Sequence, residues 1–281
     1  LNKYYPMKLG KDCFTVDFSK KMNINLKEEE RLHLLMRDIF IDNSSVFFGG
    51  YSTHLYAKHM PESKKKLVDS IPDFDIISDD PDKCALIAKE RLQTENFKNV
   101  KIIKHKAIGE IIPSHIEIIV GKYSMAYIYE PIACHSYNEV TIDGKQIKIA
   151  TIDTILAFYL SFLYANMPHY DKDRLLCIAM FLFQMEQHNR LDQSGILKRY
   201  SIECYGKQST LEDIRSKKTE MFKELGKDRE SKEYQMWFLK YTPGDTSKTE
   251  KRKTKTTTNK TRKNKQKISK EHPILALIQN K

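Results

Sequence analysis

The chain has 281 residues, 40% of them hydrophobic and 30% charged, with a formal net charge of +11. This is enough apolar material for an α/β domain with a helical extension, and too much for a disordered chain. Its most apolar stretch, residues 155–165 (ILAFYLSFLYA), is too short to cross a bilayer and reads as a buried helix. Cys13, Cys84, Cys134, Cys177 and Cys204 lack CxxC spacing, which argues against a zinc site and fits a reducing compartment such as the cytoplasm.

Residues 1–26 form a lead-in of mixed signals. Residues 27–40 (KEEERLHLLMRDIF) predict an amphipathic helix, because Leu32, Leu35, Met36 and Ile39 fall at helical spacing. A short strand, residues 46–48, runs into Gly49-Gly50-Tyr51-Ser52, and residues 51–60 predict a helix after that turn. Glycines let backbone N–H groups approach phosphate oxygens, the start of a helix favours an anion, and Ser52 can add a hydroxyl. After a basic run at residues 64–66, residues 71–77 (IPDFDII) predict a strand. Side chains two apart on a strand share a face, so Asp73 and Asp75 point the same way. Paired carboxylates suit Mg²⁺ bridged to substrate phosphates.

Pro81-Asp82 opens a predicted helix that runs through Leu92, and residues 100–104 (VKIIK) predict a strand. Residues 114–120 (SHIEIIV) and 125–132 (MAYIYEPI) predict a hairpin across the turn 121–124, each strand carrying one acid, Glu117 or Glu130. A two-metal site needs a third acid. Glu130 is the expected one, because it stands at a strand end before Pro131, whereas Glu117 alternates with Ile116 and Ile118 and is expected to face solvent. Residues 140–149 contain Asp143-Gly144 between alternating residues, a second hairpin. From Thr151 the period turns helical: residues 151–165, 172–189, 210–225 and 227–241 predict helices. Lys172 and Arg174, beside Asp171 and Asp173, could reach phosphates, but an intrahelical charge network is the favoured reading. Trp237, with Tyr234 and Phe238, is read as a packing cluster.

The segments GGYSTHLY, IPDFDIIS, IYEP and FYLSFLYANMPHYDKDRLLCIAMFLF resemble the poly(A) polymerase catalytic subunits of large DNA viruses, members of the nucleotidyltransferase superfamily. The resemblance spans about residues 47–190, with a weaker echo in LNKYYPM at residues 1–7. It implies a polymerase-β-like α/β fold with a mixed sheet, and a transfer of AMP from ATP to an RNA 3′ end. It implies Mg²⁺ or Mn²⁺ held by Asp73, Asp75 and Glu130, with Gly49, Gly50 and Ser52 seating the triphosphate. It also implies a tandem architecture in which this chain is the second half. That half is either competent or an inactive unit that stabilises, dimerises or associates with an upstream nucleotidyltransferase domain.

The expected organisation is a lead-in (1–26), a nucleotidyltransferase-like domain (27–150), a helical region (151–242), a disordered basic linker (243–270) and a short apolar end (271–281). Residues 247–270 carry eleven Lys and Arg against one acid, so +10 of the net +11 lies there. Lys251, Arg252, Lys253, Arg262 and Lys263 are its candidate RNA contacts, acting by counterion release without sequence preference.

Overall fold

The computed structural model describes residues 26–60, 73–168 and 170–238. The lead-in, the basic run 64–66, the basic segment with its candidate RNA contacts and the apolar end lie outside these residues.

Helix α1 (Leu26–Asp42) buries Leu32, Met36 and Ile39 of the expected stripe together with Phe40, while Leu35 is only partly buried. Strand β1 (Val46–Phe48) is buried throughout and passes directly into α2 (Gly49–Ala57). Both glycines therefore lie inside the helix rather than in a turn before it. Strand β2 (Phe74–Ile77) follows, then α3 (Pro81–Thr94), which is capped by Asp80 accepting from the Lys83 N–H.

Strands β3 (Val100–His105), β4 (His115–Val120) and β5 (Tyr123–Tyr129) form an antiparallel set. The turn between β4 and β5 is tighter than the sequence suggests, with Gly121 at φ +64°. Strands β6 (His135–Ile142) and β7 (Lys145–Ala150) close over Asp143 and Gly144, both at positive φ, as the Asp-Gly pair predicts. Helices α4 (Ile152–Ala165) and α5 (Lys172–His188) pack against each other and start on Thr151 and Asp171 caps. A two-residue strand β8 (Cys204–Tyr205), α6 (Leu211–Leu225) and α7 (Lys232–Phe238) follow.

One eight-stranded sheet runs β3-β4-β5-β2-β1-β7-β6-β8. β1 is antiparallel to β2 and parallel to β7, and β2 is parallel to β5. The alternation of side chains divides the sheet faces. Phe47 and Phe74 meet Phe40 of α1 on one face. Phe48 and Tyr129 meet Phe158 of α4 on the other, with Phe48 and Phe158 stacked at 4.3 Å. Asp75 pairs with Phe48 in register and so shares the second face.

Three described cysteines, Cys134, Cys177 and Cys204, are disulfide-bonded and depart from the sequence reading. Cys134 and Cys204 form a disulfide with Cα atoms 5.3 Å apart, joining the start of β6 to β8 across 70 residues of chain. Strand β8 has no periodic signal of its own, being two residues long, and it lies within the region read as helical.

Candidate functional site

Gly49 has φ +68°, the left-handed region that glycine alone occupies without strain. A Cβ there would overlap the Asp75 carboxylate and come within 2.6 Å of its Cβ and Cγ. The glycine is thus what lets the acid of β2 close against the start of α2. Thr53 Oγ1 donates to the Gly49 carbonyl at 2.7 Å and steadies the first turn. Ser52 is fully buried, and its hydroxyl has no hydrogen-bond partner among the described residues. A buried hydroxyl without a partner is costly, and a ligand oxygen reaching the helix start would relieve that cost.

A cleft of about 580 Å³ opens above this point. Gly50, Asp73 and Asp75 form one end of it, and Tyr127, Tyr129, His115, Glu117 and His105 continue along the sheet. Tyr159, Phe162, Tyr170 and Arg174 of the α4–α5 region form the opposite wall. Burial pushes the hydroxyls of Tyr129, Tyr159 and Tyr170 upward, and the negative charge of Asp75 adds to each shift. For Tyr170 the result is about 12. These tyrosines stay neutral at physiological pH and surround the carboxylates with phenol groups.

The structure brings Asp73 and Asp75 together with Gly50 but not with Glu130. Strand β5 ends at Tyr129, and Glu130 follows with the parity of Ile128, off the face that Asp75 occupies. The Glu130 carboxylate accepts from Ser114 Oγ at 2.5 Å and lines a separate pocket with Lys217 and Trp237. Glu117, expected to face solvent, lies in the cleft instead. Its strand partner Tyr127 is also the partner of Asp75, so the three side chains share one row across β4, β5 and β2. Burial opposes ionisation of Glu117, but bonds from Ser124, His105 and Tyr127 outweigh it and hold the carboxyl below its ordinary value. His105 Nε2 stands 2.9 Å from Glu117 Oε2, and Ser124 Oγ also bonds the carboxylate.

Arg174 departs from the charge-network reading. Asp171 caps its backbone N–H at 3.0 Å, while its side chain lines the cleft. Its Nε is buried without a hydrogen-bond partner, and it makes no ion pair among the described residues. The sequence signal available was its third position in a helix after Pro168, but only the packing of α5 on α4 aims it.

The donor set fits part of the implied metal chemistry. Asp73 and Asp75 both line the cleft, and a pair of carboxylates is the number one Mg²⁺ would take beside phosphate oxygens. They do not complete a two-metal set, since β5 presents Tyr127 and Tyr129 beside them. Among the described residues no three His, Cys, Asp or Glu side chains are grouped to hold a metal. No helix among them is long and apolar enough to cross a membrane.

No family model matches the chain. No curated protein matches it in sequence. Among solved structures, the crystal structure of the Megavirus polyadenylate synthase is similar in fold, with a TM-score of 0.56 and 14% identity over 80% of this chain. The chain spans 47% of that protein's length. With its mixed sheet, its glycine-started helix and its Asp-x-Asp strand, the protein has a mixed α/β fold similar to that of the viral synthase.

Proposed function

We propose that this domain binds the phosphates of a nucleotide in its cleft without transferring them, as the non-catalytic half of a polyadenylate-synthase-like protein. The observation that carries this reading is the company of Asp73 and Asp75: Gly50 and Arg174 share their cleft, while the adjacent strand offers tyrosines where a third acid is needed. The start of α2 directs N–H groups and a positive dipole end at an anion. Ser52 supplies a hydroxyl in need of a partner, and Arg174 supplies a guanidinium whose buried Nε has none among the described residues. Asp73 and Asp75 are the residues that would hold a Mg²⁺, which would supply charge neutralisation for the phosphates. The role as one half of a larger protein is supported by the 47% span of the synthase. ATP as the nucleotide, an RNA 3′ end as partner, and RNA contacts from the basic segment follow from the resemblance and the charge. Self-association or docking to a competent nucleotidyltransferase domain belongs to the same proposal.

One observation favours a second reading. Glu117 faces the cleft in the row of Asp75, so an active enzyme would use it, rather than Glu130, as the third acid. Calorimetric titration of the full chain with ATP–Mg²⁺ and with inorganic triphosphate tests the first reading. Both should bind, and Asp73→Asn/Asp75→Asn should weaken the Mg²⁺-dependent part. Absence of binding by either ligand contradicts the proposal.

A further inference from the structure

Three rings lie in one row across the sheet, on the face that carries Asp75. Tyr129 of β5 pairs in register with His115 of β4, and His115 pairs with His105 of β3. Tyr129 and His115 are stacked with centroids 4.7 Å apart and planes 23° from parallel. His115 and His105 are 4.8 Å apart at 17°. The inner end of this pile is closed, because Tyr129 is buried against Phe158. Its outer end is His105, on the edge strand of the sheet, with a side chain 38% exposed. No further ring stacks on His105 among the described residues. Glu117 bonds its Nε2 and fixes the plane of the imidazole.

The same edge carries cations and one exposed apolar side chain. Lys101 and Ile103 share the face of His105 by alternation, and Ile103 is 40% exposed. Lys106 follows His105 and lines the cleft. Neither Lys101 nor Lys106 forms an ion pair among the described residues, whereas Lys104, on the other face, is paired with Asp82. Cations interleaved with a flat ring and an apolar contact match the needs of a single-stranded nucleic acid.

We infer that the β3 edge seats a base of single-stranded RNA on the open face of His105, with Lys101 and Lys106 taking the flanking phosphates. The base extends an existing pile of rings, so its stacking partner is already ordered by Glu117 and His115. Strand β3 lies three strand spacings, about 14 Å, from β2. Phosphates gathered at Gly50 and Arg174 are therefore remote from the two lysines, and a chain of phosphates accounts for both sets of cations better than one nucleotide does. The inference rests on the cleft being a nucleotide site and adds an entry track for RNA beside it.

The test uses the full chain and a short RNA carrying 2-aminopurine at its 3′ end, whose fluorescence falls when the base stacks. Wild type should quench it. His105→Ala should lose most of the quenching and bind about tenfold more weakly, the scale of one base–aromatic stack. His105→Phe should keep both, which separates stacking from loss of fold. The ratio between wild type and His105→Ala should persist at raised salt, where contacts made by lysines and by the basic segment fade. Equal quenching and affinity in wild type and His105→Ala would overturn the inference. So would stronger quenching of free 2-aminopurine riboside triphosphate than of the RNA, which would make the occupant a mononucleotide. Inorganic triphosphate titrated in parallel keeps the two readings apart: if it binds while His105→Ala leaves RNA unaffected, only the RNA track fails.

Discussion

Replacing Gly49 by alanine perturbs the hinge between phosphate end and acid end of the cleft in two separable ways. The first is conformational: φ is +68°, and an L-residue held in the left-handed region costs about 1–2 kcal/mol. The second is steric, because the new methyl would overlap the Asp75 carboxylate and sit 2.6 Å from its Cβ and Cγ. Asp75 is on a short strand paired on both sides, with Phe48 and with Tyr127, so it cannot retreat freely. Forcing an extra methylene-sized group into a packed position costs about 1–3 kcal/mol. The sum, about 2–5 kcal/mol, is a large part of the stability of an ordinary domain. For a domain of this size it corresponds to a drop of about 4–20 °C in melting temperature. Urea unfolding of four proteins measures the parts: wild type, Gly49→Ala, Asp75→Gly and the double variant. Asp75→Gly removes all three colliding atoms, so Gly49→Ala should cost only the conformational share in that background. The coupling between the two positions should then be about 1–3 kcal/mol. Equal costs for Gly49→Ala in both backgrounds would refute the close approach of Asp75 to the start of α2.

Phe158 stacks on Phe48 at 4.3 Å and also meets Tyr129 and Phe162, so Phe158→Ala should cost about 3–5 kcal/mol in the same unfolding assay. A loss below about 1 kcal/mol would mean that α4 does not cover this face of the sheet. Arg174→Ala should weaken inorganic triphosphate binding about tenfold or more, the effect of one charge-assisted bond, while leaving stability nearly unchanged because the side chain has no ion pair to lose. Unchanged affinity would remove Arg174 from the phosphate site. Glu117 has its folded pKa depressed, so its stabilising contribution is present above its ordinary value of 4.5 and disappears as pH falls through the lower folded value. The stability gap between wild type and Glu117→Gln should therefore be open at neutral pH and close on acidification below 4.5. A gap that stays constant with pH would contradict the bonds from Ser124, His105 and Tyr127.

The acid pair was legible because its chemistry depends only on a period of two: Asp73 and Asp75 share a face whatever strand lies beside them. Gly49 was legible as a close-approach residue, although what approaches it, Asp75, is a carboxylate of this chain rather than a phosphate. Which of Glu117 and Glu130 faces the cleft was not legible, because that depends on register. Once β5 begins at Tyr123, Tyr127 falls between Asp75 and Glu117, and Glu130 falls on the other parity beyond the strand end. The turn at Gly121 and a register shift between Ile118 and Ile119 together set that pairing, and the apolar pattern of MAYIYEPI reveals neither. Of the two readings of Arg174, an intrahelical charge network or a phosphate contact, the sequence favoured the first because acids adjoin it, but Asp171 bonds its backbone N–H while its side chain lines the cleft. The Cys134–Cys204 link carried no local signal at all, since 70 residues separate the two thiols.

On the proposed function, the cleft holds a nucleotide but lacks the third acid for transfer. The decisive experiment incubates the full chain with ATP, Mg²⁺ and an RNA primer, alongside a binding titration of the same preparation. Nucleotide binding should weaken in Asp73→Asn/Asp75→Asn, and wild type should not extend the primer. Extension by wild type that disappears in Asp73→Asn/Asp75→Asn and in Glu117→Gln would contradict that function and make Glu117 the third catalytic acid.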